Sequence, residues 1–250
     1  MSGKSSDYRN QTSEKGPFMW QRQQIAQIPC DVLNYPGNGR TIVFLDDPTI
    51  EQLVPTSLQW PATWAAGTSW VVPDLAHTCW IPDLTTSGGV TLEDHFINEF
   101  LSELQTSVTS STQVLILSGV GIGGQAAIRL SNAQPTRQFD TYTINPALDL
   151  HLWYGLETTL DERYPNPEAV RQASMTVQFR VHARLPKIWF CTTEEEYYLV
   201  SATRFCEKLT ALGVPHHWER ISGTFEENYF LAVQKMLVVM GSQTRLPLQT

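Results

Sequence analysis

Short apolar runs that alternate with helical patterns limit the fold of this chain more than any other feature of its sequence. The runs are rich in β-branched or aromatic side chains and are bounded by Gly, Pro, Asp or Asn; they occupy residues 41–45, 69–72, 114–117, 141–144, 187–191 and 216–221. Such runs predict strands, and strands that alternate with helices favour a mostly parallel sheet with helices on both faces. We therefore expect a three-layer α/β fold, entered through an edge strand or hairpin at residues 23–35.

The expected helices have recognisable ends. Thr91, with Asp94 three residues later, resembles a capping box, and apolar residues then recur at helical spacing as far as Leu104. Proline suits the first turn of a helix and glycine the position just after its end. These signals predict helices after Thr91, after Gly123, from Pro167, over about 197–212 and over 226–240. Residues 146–186 predict a weak helix among turns, as an excursion over one end of the sheet.

Composition excludes several classes of protein. The chain has 250 residues, of which 42% are hydrophobic, so it can bury a substantial core. The 17 basic and 25 acidic residues give a net charge of −8, which argues against a nucleic-acid binder. The apolar runs are far shorter than the ~20 residues of a membrane span. The polar residues 1–16 lack the apolar stretch of a signal peptide, and we expect a disordered arm or tag remnant there and one domain over 17–250.

The four cysteines are isolated in the sequence. Cys30, Cys79, Cys191 and Cys206 form no C-x-x-C pair and do not cluster with histidines. This spacing is not that of a zinc site, and a chain of this length does not need disulfides. We therefore expect reduced thiols, no metal, no cofactor and a cytoplasmic location.

A glycine-rich loop between a strand and a helix is the most informative motif. Gly119, Gly121 and Gly124 satisfy G-x-G-x-x-G, the pattern of a dinucleotide-binding turn. Asp140 follows about 20 residues later, but it precedes the next strand, whereas a ribose-binding acid follows that strand. The same loop also has the small residues of a nucleophile elbow, G-x-S-x-G, except that the nucleophile position is Gly121.

With this elbow, the chain resembles the α/β-hydrolase superfamily, in particular its esterase-D and feruloyl-esterase-like branch. The resemblance spans about residues 24–240. It rests on the strand at 41–45 and the tryptophan Trp64 downstream of it, on WVVPD at 70–74, on NPALDLHLWYG at 145–155 and on FCEKLTALGVPHHWERISG at 205–223. It implies a single domain with the three-layer α/β-hydrolase fold.

The resemblance also implies that the catalytic triad is lost. The nucleophile position falls on Gly121, the acid position near Thr193 and the histidine position on Phe225. Asp46 and Asp47 replace the usual His-Gly of the oxyanion loop, and carboxylates there would repel a developing oxyanion. A paired turn carboxylate is more often a helix cap or a solvated group, and the run Glu194–Glu196 similarly predicts a solvated helix start.

Aromatic residues near the expected site have two interpretations. They line a pocket at the carboxyl end of the sheet, or they seal the excursion over it. The candidate pocket residues are Asp46, Asp47, Trp64, Trp80, Ile122, Trp153 and Tyr154.

The sequence therefore predicts a catalytically inactive, esterase-like protein, a pseudo-hydrolase, that serves in binding, regulation or assembly. Its partner would be an unidentified protein or small ligand, and a homodimer is compatible with the family resemblance. Two alternatives stay open. One is a weak ester hydrolase with a displaced nucleophile, such as Ser118 or Cys79, and the other is a nucleotide-binding module that uses the glycine loop.

Overall fold

The computed structural model describes residues 20–34, 39–47, 68–75, 78, 80–81, 89–108, 114–134, 139–156, 159–182 and 186–243. The predicted arm at residues 1–16, together with Trp64 and Cys79, lies outside the described residues. The strands are β1 (Gln21–Ile25), β2 (Ile28–Leu33), β3 (Arg40–Leu45), β4 (Ser69–Pro73), β5 (Val114–Val120), β6 (Asp140–Ile144), β7 (Lys187–Thr192) and β8 (His216–Arg220). The helices are α1 (Leu92–His95), α2 (Leu101–Ser107), α3 (Gly121–Ala133), α4 (Thr159–Arg163), α5 (Pro167–Ala173), α6 (Met175–Gln178), α7 (Glu196–Ala211) and α8 (Phe225–Gln243).

All eight strands belong to one sheet, in the order β1-β2-β4-β3-β5-β6-β7-β8. β2 is antiparallel to β1 and β4. The other neighbours in the sheet, in the order β4, β3, β5, β6, β7 and β8, are parallel to one another. The predicted N-terminal hairpin is confirmed. Ala26 and Gln27 form its two-residue turn with φ angles of 48° and 66°, and two positive φ values are typical of the turn that matches the twist of the strands.

Helices cover both faces of the sheet, which confirms the predicted three layers. On β3, Ile42 and Phe44 point to one face and pack in a cluster with α8. Val43 and Leu45 point to the other face, where the clusters contain residues of α1, α2, α3, α5, α6 and α7. Alternate side chains of each buried strand therefore enter separate cores.

Local sequence signals gave most element positions correctly. The Thr91 side chain accepts a hydrogen bond from the Asp94 N–H at 3.1 Å, and Asn166 caps α5 by accepting from Ala169 N–H at 2.9 Å. The predicted helix after Thr91 is interrupted by a π-helical segment, Phe96–Phe100, between α1 and α2. The excursion at 146–186 contains a 3₁₀ turn (Leu150–Leu152) and the short helices α4, α5 and α6.

No helix within the described ranges has both the length and the apolar character needed to cross a membrane.

Parallel pairing brings the C-terminal ends of four strands, β3, β5, β6 and β7, to the same end of the sheet. Leu45 of β3 lies opposite Gly119 of β5, and Ile144 of β6 pairs with Val120 of β5 on one side and Cys191 of β7 on the other. The residues that follow these strands therefore meet at the carboxyl end of the sheet, where open α/β sheets bind their ligands.

Candidate functional site

A sharp turn joins β5 to α3 in the middle of the carboxyl end of the sheet. Gly121, the first residue of α3, has a φ of +54°, in the left-handed region that favours glycine. A Cβ on Gly119 would lie 2.6 Å from the Leu45 carbonyl oxygen, and one on Gly123 would lie 2.1 Å from the same atom. Glycine at these positions therefore lets the end of β3 pack directly on the turn. The backbone has the form of a nucleophile elbow.

The side chain of Asp47 fills the space in which a nucleophile would stand. Its Oδ2 atom lies 1.8 Å from the position that a Cβ on Gly121 would take, and Asp47 is only 4% exposed. The same oxygen accepts a hydrogen bond from the Ile122 N–H at 2.7 Å. In an active elbow, the N–H of the residue after the nucleophile stabilises the oxyanion. One carboxylate of the chain itself therefore occupies both positions.

Asp47 also serves α3 as an N-terminal cap. α3 has no acidic residue in its own first turn, and its cap residue Val120 makes no side-chain hydrogen bond. A carboxylate at the N-terminus of a helix is stabilised by free N–H groups and by the helix dipole. Asp46 holds the preceding turn, because its Oδ1 accepts from the Asp47 N–H at 3.1 Å and its carbonyl accepts from the Trp80 indole at 2.8 Å.

The acid position is part of a hydrogen-bond network between the ends of β6, β7 and α8. Thr193 is fully buried; its N–H donates to Asn145 Oδ1 at 2.7 Å, and its hydroxyl lies 2.6 Å from Asn145 Nδ2 and contacts Glu195 Oε2. Glu195 Oε1 accepts from the Phe225 N–H at 2.6 Å. The network thus links Thr193, which the resemblance aligns with the acid position, to Phe225, which it aligns with the histidine position.

The run Glu194–Glu196 leads into α7 as predicted; Glu194 and Glu196 are exposed, whereas Glu195 is partly buried. Glu195 caps the first turn of α8, as described above, and Glu194 Oε2 accepts from the Gly223 N–H at 3.0 Å. Both residues precede α7 and bond to the segment that leads into α8, although Glu194 is also exposed to solvent. Only Glu196 lies inside α7, where it is exposed.

The histidine position contains an apolar side chain. Phe225 is 4% exposed and packs edge-on against Tyr229, with ring centroids 5.2 Å apart. His216 and His217 lie at the first residues of β8, at the opposite end of the sheet from Gly121. His151 follows β6, and its Nδ1 is 3.9 Å from Asp149 Oδ1.

The candidate pocket residues divide into buried and partly buried groups. Trp80 is 2% exposed, packs edge-on against Phe96 at 5.8 Å and accepts at its carbonyl from the buried Arg129 guanidinium, so it belongs to the core. Ile122 is also buried. Trp153 and Tyr154 are partly buried, and the Trp153 ring lies 5.5 Å from that of Tyr198.

Two residues of the site carried no local signal in the sequence. In the structure, Asn145 has a φ of 43° directly after β6, a conformation that asparagine tolerates better than most residues. Tyr198 lies on α7 near both carboxylates of the site. Burial raises the pKa of its phenol, and the charges of Asp47 and Glu195 raise that pKa further.

The alternative nucleophile Ser118 is fully buried within β5. Its hydroxyl donates to the Tyr142 carbonyl at 2.6 Å and lies 3.1 Å from the Met236 sulfur. The other alternative, Cys79, is outside the described residues. Among the residues that the structure describes, no three His, Cys, Asp or Glu side chains are grouped as metal ligands would be.

No protein-family model and no curated protein matches the sequence. Solved structures do match the fold at low identity. A ferulic acid esterase has a TM-score of 0.63 at 13% identity over 89% of this chain and 96% of that one. MPT51 of Mycobacterium tuberculosis has a TM-score of 0.61 at 14% identity over 90% and 97%. A hormone-sensitive lipase from a metagenome library has a TM-score of 0.61 at 15% identity over 93% and 87%. The chain therefore has the α/β-hydrolase fold.

Proposed function

We propose that this protein is a pseudo-hydrolase of the esterase-D and feruloyl-esterase-like branch, which has kept the scaffold for binding, regulation or assembly. The observation that carries the proposal is the Asp47 carboxylate at the elbow, 2.7 Å from the Ile122 N–H and within the space of a side chain on Gly121. An ester carbonyl could reach that N–H only by displacing a buried carboxylate.

The electrostatics of the elbow also oppose hydrolysis. A tetrahedral intermediate carries negative charge on the former carbonyl oxygen, and catalysis depends on donors that are aimed at it. Here the donor is already paired with an anion, so a second negative charge would be repelled. The same carboxylate would also collide with any nucleophilic side chain at position 121.

The other two triad positions support the same conclusion. Triad chemistry needs a base that takes the proton of the nucleophile and an acid that orients the base. Phe225 has no titratable group, and Thr193 is held by Asn145 and Glu195 in a network that ties strand ends to α8. These contacts stabilise the fold, and neither Phe225 nor Thr193 can take the proton of a nucleophile.

The two alternatives receive less support. Ser118 is buried with its hydroxyl bonded to a backbone carbonyl, so it lacks both a base and access to a substrate. A nucleotide phosphate at the glycine loop would need the α3 N–H groups, and the Ile122 N–H is bound to Asp47.

We also propose a reducing, cytoplasmic environment. Cys30, Cys191 and Cys206 are free thiols, and the first two are buried. This arrangement is typical of proteins that do not depend on disulfides.

The test of the proposal compares Gly121→Ser with the double variant Gly121→Ser/Asp47→Gly. The single variant keeps the collision with Asp47, whereas the double variant removes it and frees the Ile122 N–H. We expect neither variant, nor the native chain, to hydrolyse p-nitrophenyl acetate above the rate of the buffer, because Phe225 stands where the triad would need its histidine.

The double variant is the decisive control, because its inactivity cannot be attributed to the collision. Turnover by the double variant would mean that a base lies within reach of position 121. Labelling of the native chain by a fluorophosphonate at a single residue, together with native esterase activity, would overturn the proposal in favour of a displaced nucleophile.

A further inference from the structure

The strand β8 ends the sheet with one edge unpaired by any described strand. It pairs only with β7 in the described part of the chain. The Ile221 N–H donates to the Thr192 carbonyl at 2.8 Å, which directs the backbone groups of residues 217, 219 and 221 toward β7. Because these groups alternate along a strand, His216, Trp218 and Arg220 direct theirs outward. Such an edge is a template for another strand.

We propose that β8 pairs antiparallel with β8 of a second copy of this chain, across a two-fold axis at Trp218. A two-fold interface is self-complementary, so each outward residue must find a suitable partner in the same short segment. In this register Trp218 pairs with Trp218 of the second copy, and His216 pairs with Arg220 in both directions. Each of these pairs can exchange two backbone hydrogen bonds.

On the α8 face of the sheet, the same register sets His217 opposite Glu219 of the second copy. The backbone N–H and C=O groups of these two residues point toward β7, so the two residues form a non-hydrogen-bonded pair across the interface. In antiparallel sheets, the side chains of such pairs lie closest together. Both side chains are held in place already: Glu219 is paired with Lys235, and the His217 ring stacks on Trp189 with an interplanar angle of 10°. The His217 ring can donate a hydrogen bond to that carboxylate across the strands.

On the α7 face, His216 can accept a hydrogen bond from Arg220 of the second copy. Its Nδ1 lies 2.8 Å from the Val214 carbonyl, and a carbonyl cannot donate, so Nδ1 carries the proton. In the neutral ring this leaves Nε2 as an acceptor. Arg220 is positioned by its own chain, with its guanidinium 4.5 Å from the centre of the Trp218 ring.

Neighbouring registers lack this complementarity. An axis at Glu219 would place two carboxylates directly opposite each other, which is destabilising. An axis at His217 would pair that residue with itself and place Glu219 opposite Pro215. The sequence of β8 therefore favours the axis at Trp218.

The α7 layer extends the interface. An open groove of about 390 Å³ lies between α7 and the end of β8, lined by Leu199, Val200, Thr203, Arg204, Glu207 and Arg220. A two-fold axis normal to the sheet keeps both α7 helices on the same face and makes them antiparallel. Arg204 pairs with Asp149 of its own chain at 2.8 Å and lies one turn from Glu207, so antiparallel helices can set each arginine opposite a glutamate of the second copy as well.

The experiment measures the mass of the full chain by size-exclusion chromatography with light scattering. We expect twice the chain mass of 28.2 kDa. His217→Glu sets like charges opposite Glu219 twice in the dimer, so we expect its dissociation constant to rise about tenfold or more. Adding Glu219→His to that variant exchanges the two side chains, which removes the pairs of like charges, and should restore the dimer.

Two variants at Arg220 separate backbone from side-chain effects. Arg220→Pro removes an outward N–H that β7 does not use, and proline is tolerated at such edge positions, so we expect a folded monomer. Arg220→Ala keeps that N–H and should dimerise more weakly than the native chain. Circular dichroism checks that each variant is folded. A monomeric native chain, or a dimer that His217→Glu alone and Arg220→Pro leave unchanged, would overturn the proposal.

Discussion

Asp47 has a structural role at the turn between β5 and α3. Its carboxylate caps α3 through the Ile122 N–H, and its burial means that this donor has no access to water. Removing the carboxylate would leave a buried N–H without a partner, which costs about 1–3 kcal/mol.

We therefore expect Asp47→Ala to lower the free energy of unfolding by about 1–2 kcal/mol, as for the loss of a helix cap. Asp47→Asn should cost less, because the amide oxygen can still accept from Ile122. Urea denaturation of both variants measures the difference. Asp46→Ala is the matched control, because it removes a carboxylate from the same turn and leaves the bond between Asp47 and the Ile122 N–H in place. Equal stability of Asp47→Ala and the native chain would contradict the capping role.

At this scale the sequence predicted the candidate site only in part. The small residue at Gly121 and the paired carboxylates Asp46 and Asp47 were visible as departures from a family pattern. Their contact was not, because positions 47 and 121 are brought together by the pairing of β3 with β5. A missing side chain shows that a volume is free, but only the fold shows which neighbour fills it.

The first turn of α8 is bonded both locally, through Thr224 and Glu227, and by a residue from another part of the chain. Glu195 lies at the entry to α7, yet it accepts from the first N–H of α8 and contacts the Thr193 hydroxyl. It therefore joins β7 to the start of α8, which packs on the opposite face of the sheet from α7.

We expect Glu195→Ala to open the first turn of α8 and to lower stability by about 1 kcal/mol. Hydrogen exchange should become faster at residues 225–228 and stay unchanged in the last turns of α8. Glu196→Ala, one residue along the chain and exposed, is the control. Equal exchange rates at residues 225–228 in the two variants would mean that the first turn of α8 forms without the contact from Glu195.

Local chemistry predicted the elements better than it predicted their irregularities. Caps at Thr91 and Asn166 and the β-branched runs fixed most helices and strands, because those signals act within a few residues. The π-helical segment between α1 and α2 was missed, since the apolar spacing there also fits an ordinary helix. The segment contains Phe96 and Phe100, whose ring centroids lie 4.4 Å apart in a stacked arrangement. Both rings pack in a core that is assembled from distant segments of the chain.

For the molecule as a whole, the core holds several acidic groups in their neutral form. Burial raises the pKa of the Cys30 thiol to about 12 and that of Cys206 to about 11. Burial also raises the pKa of the Cys191 thiol and of the Tyr142 phenol. In the unfolded chain these groups release their protons near their ordinary pKa values of about 9 to 10.

Alkaline pH should therefore destabilise the fold. A group with a raised pKa in the folded state contributes its full stability below its unfolded pKa, and that contribution is lost as the pH rises toward the folded pKa. Each such group lowers the free energy of unfolding by about 1.4 kcal/mol per pH unit within that window. For Cys30, the window extends from its ordinary value of 9.0 to about 12.

Urea denaturation at pH 8, 9, 10 and 11 should give a free energy of unfolding that falls steadily above pH 9. Cys30→Ala removes one of the groups, so its decline should be shallower by about 1.4 kcal/mol per pH unit over the same range. Cys206→Ala should change the decline over a narrower range, because the pKa of that thiol is raised less. A free energy that stays constant to pH 11 would mean that these thiols and phenols meet water in the native state. The separation of the two faces of the sheet into dry cores predicts the opposite, because each face packs its own set of helices over these groups.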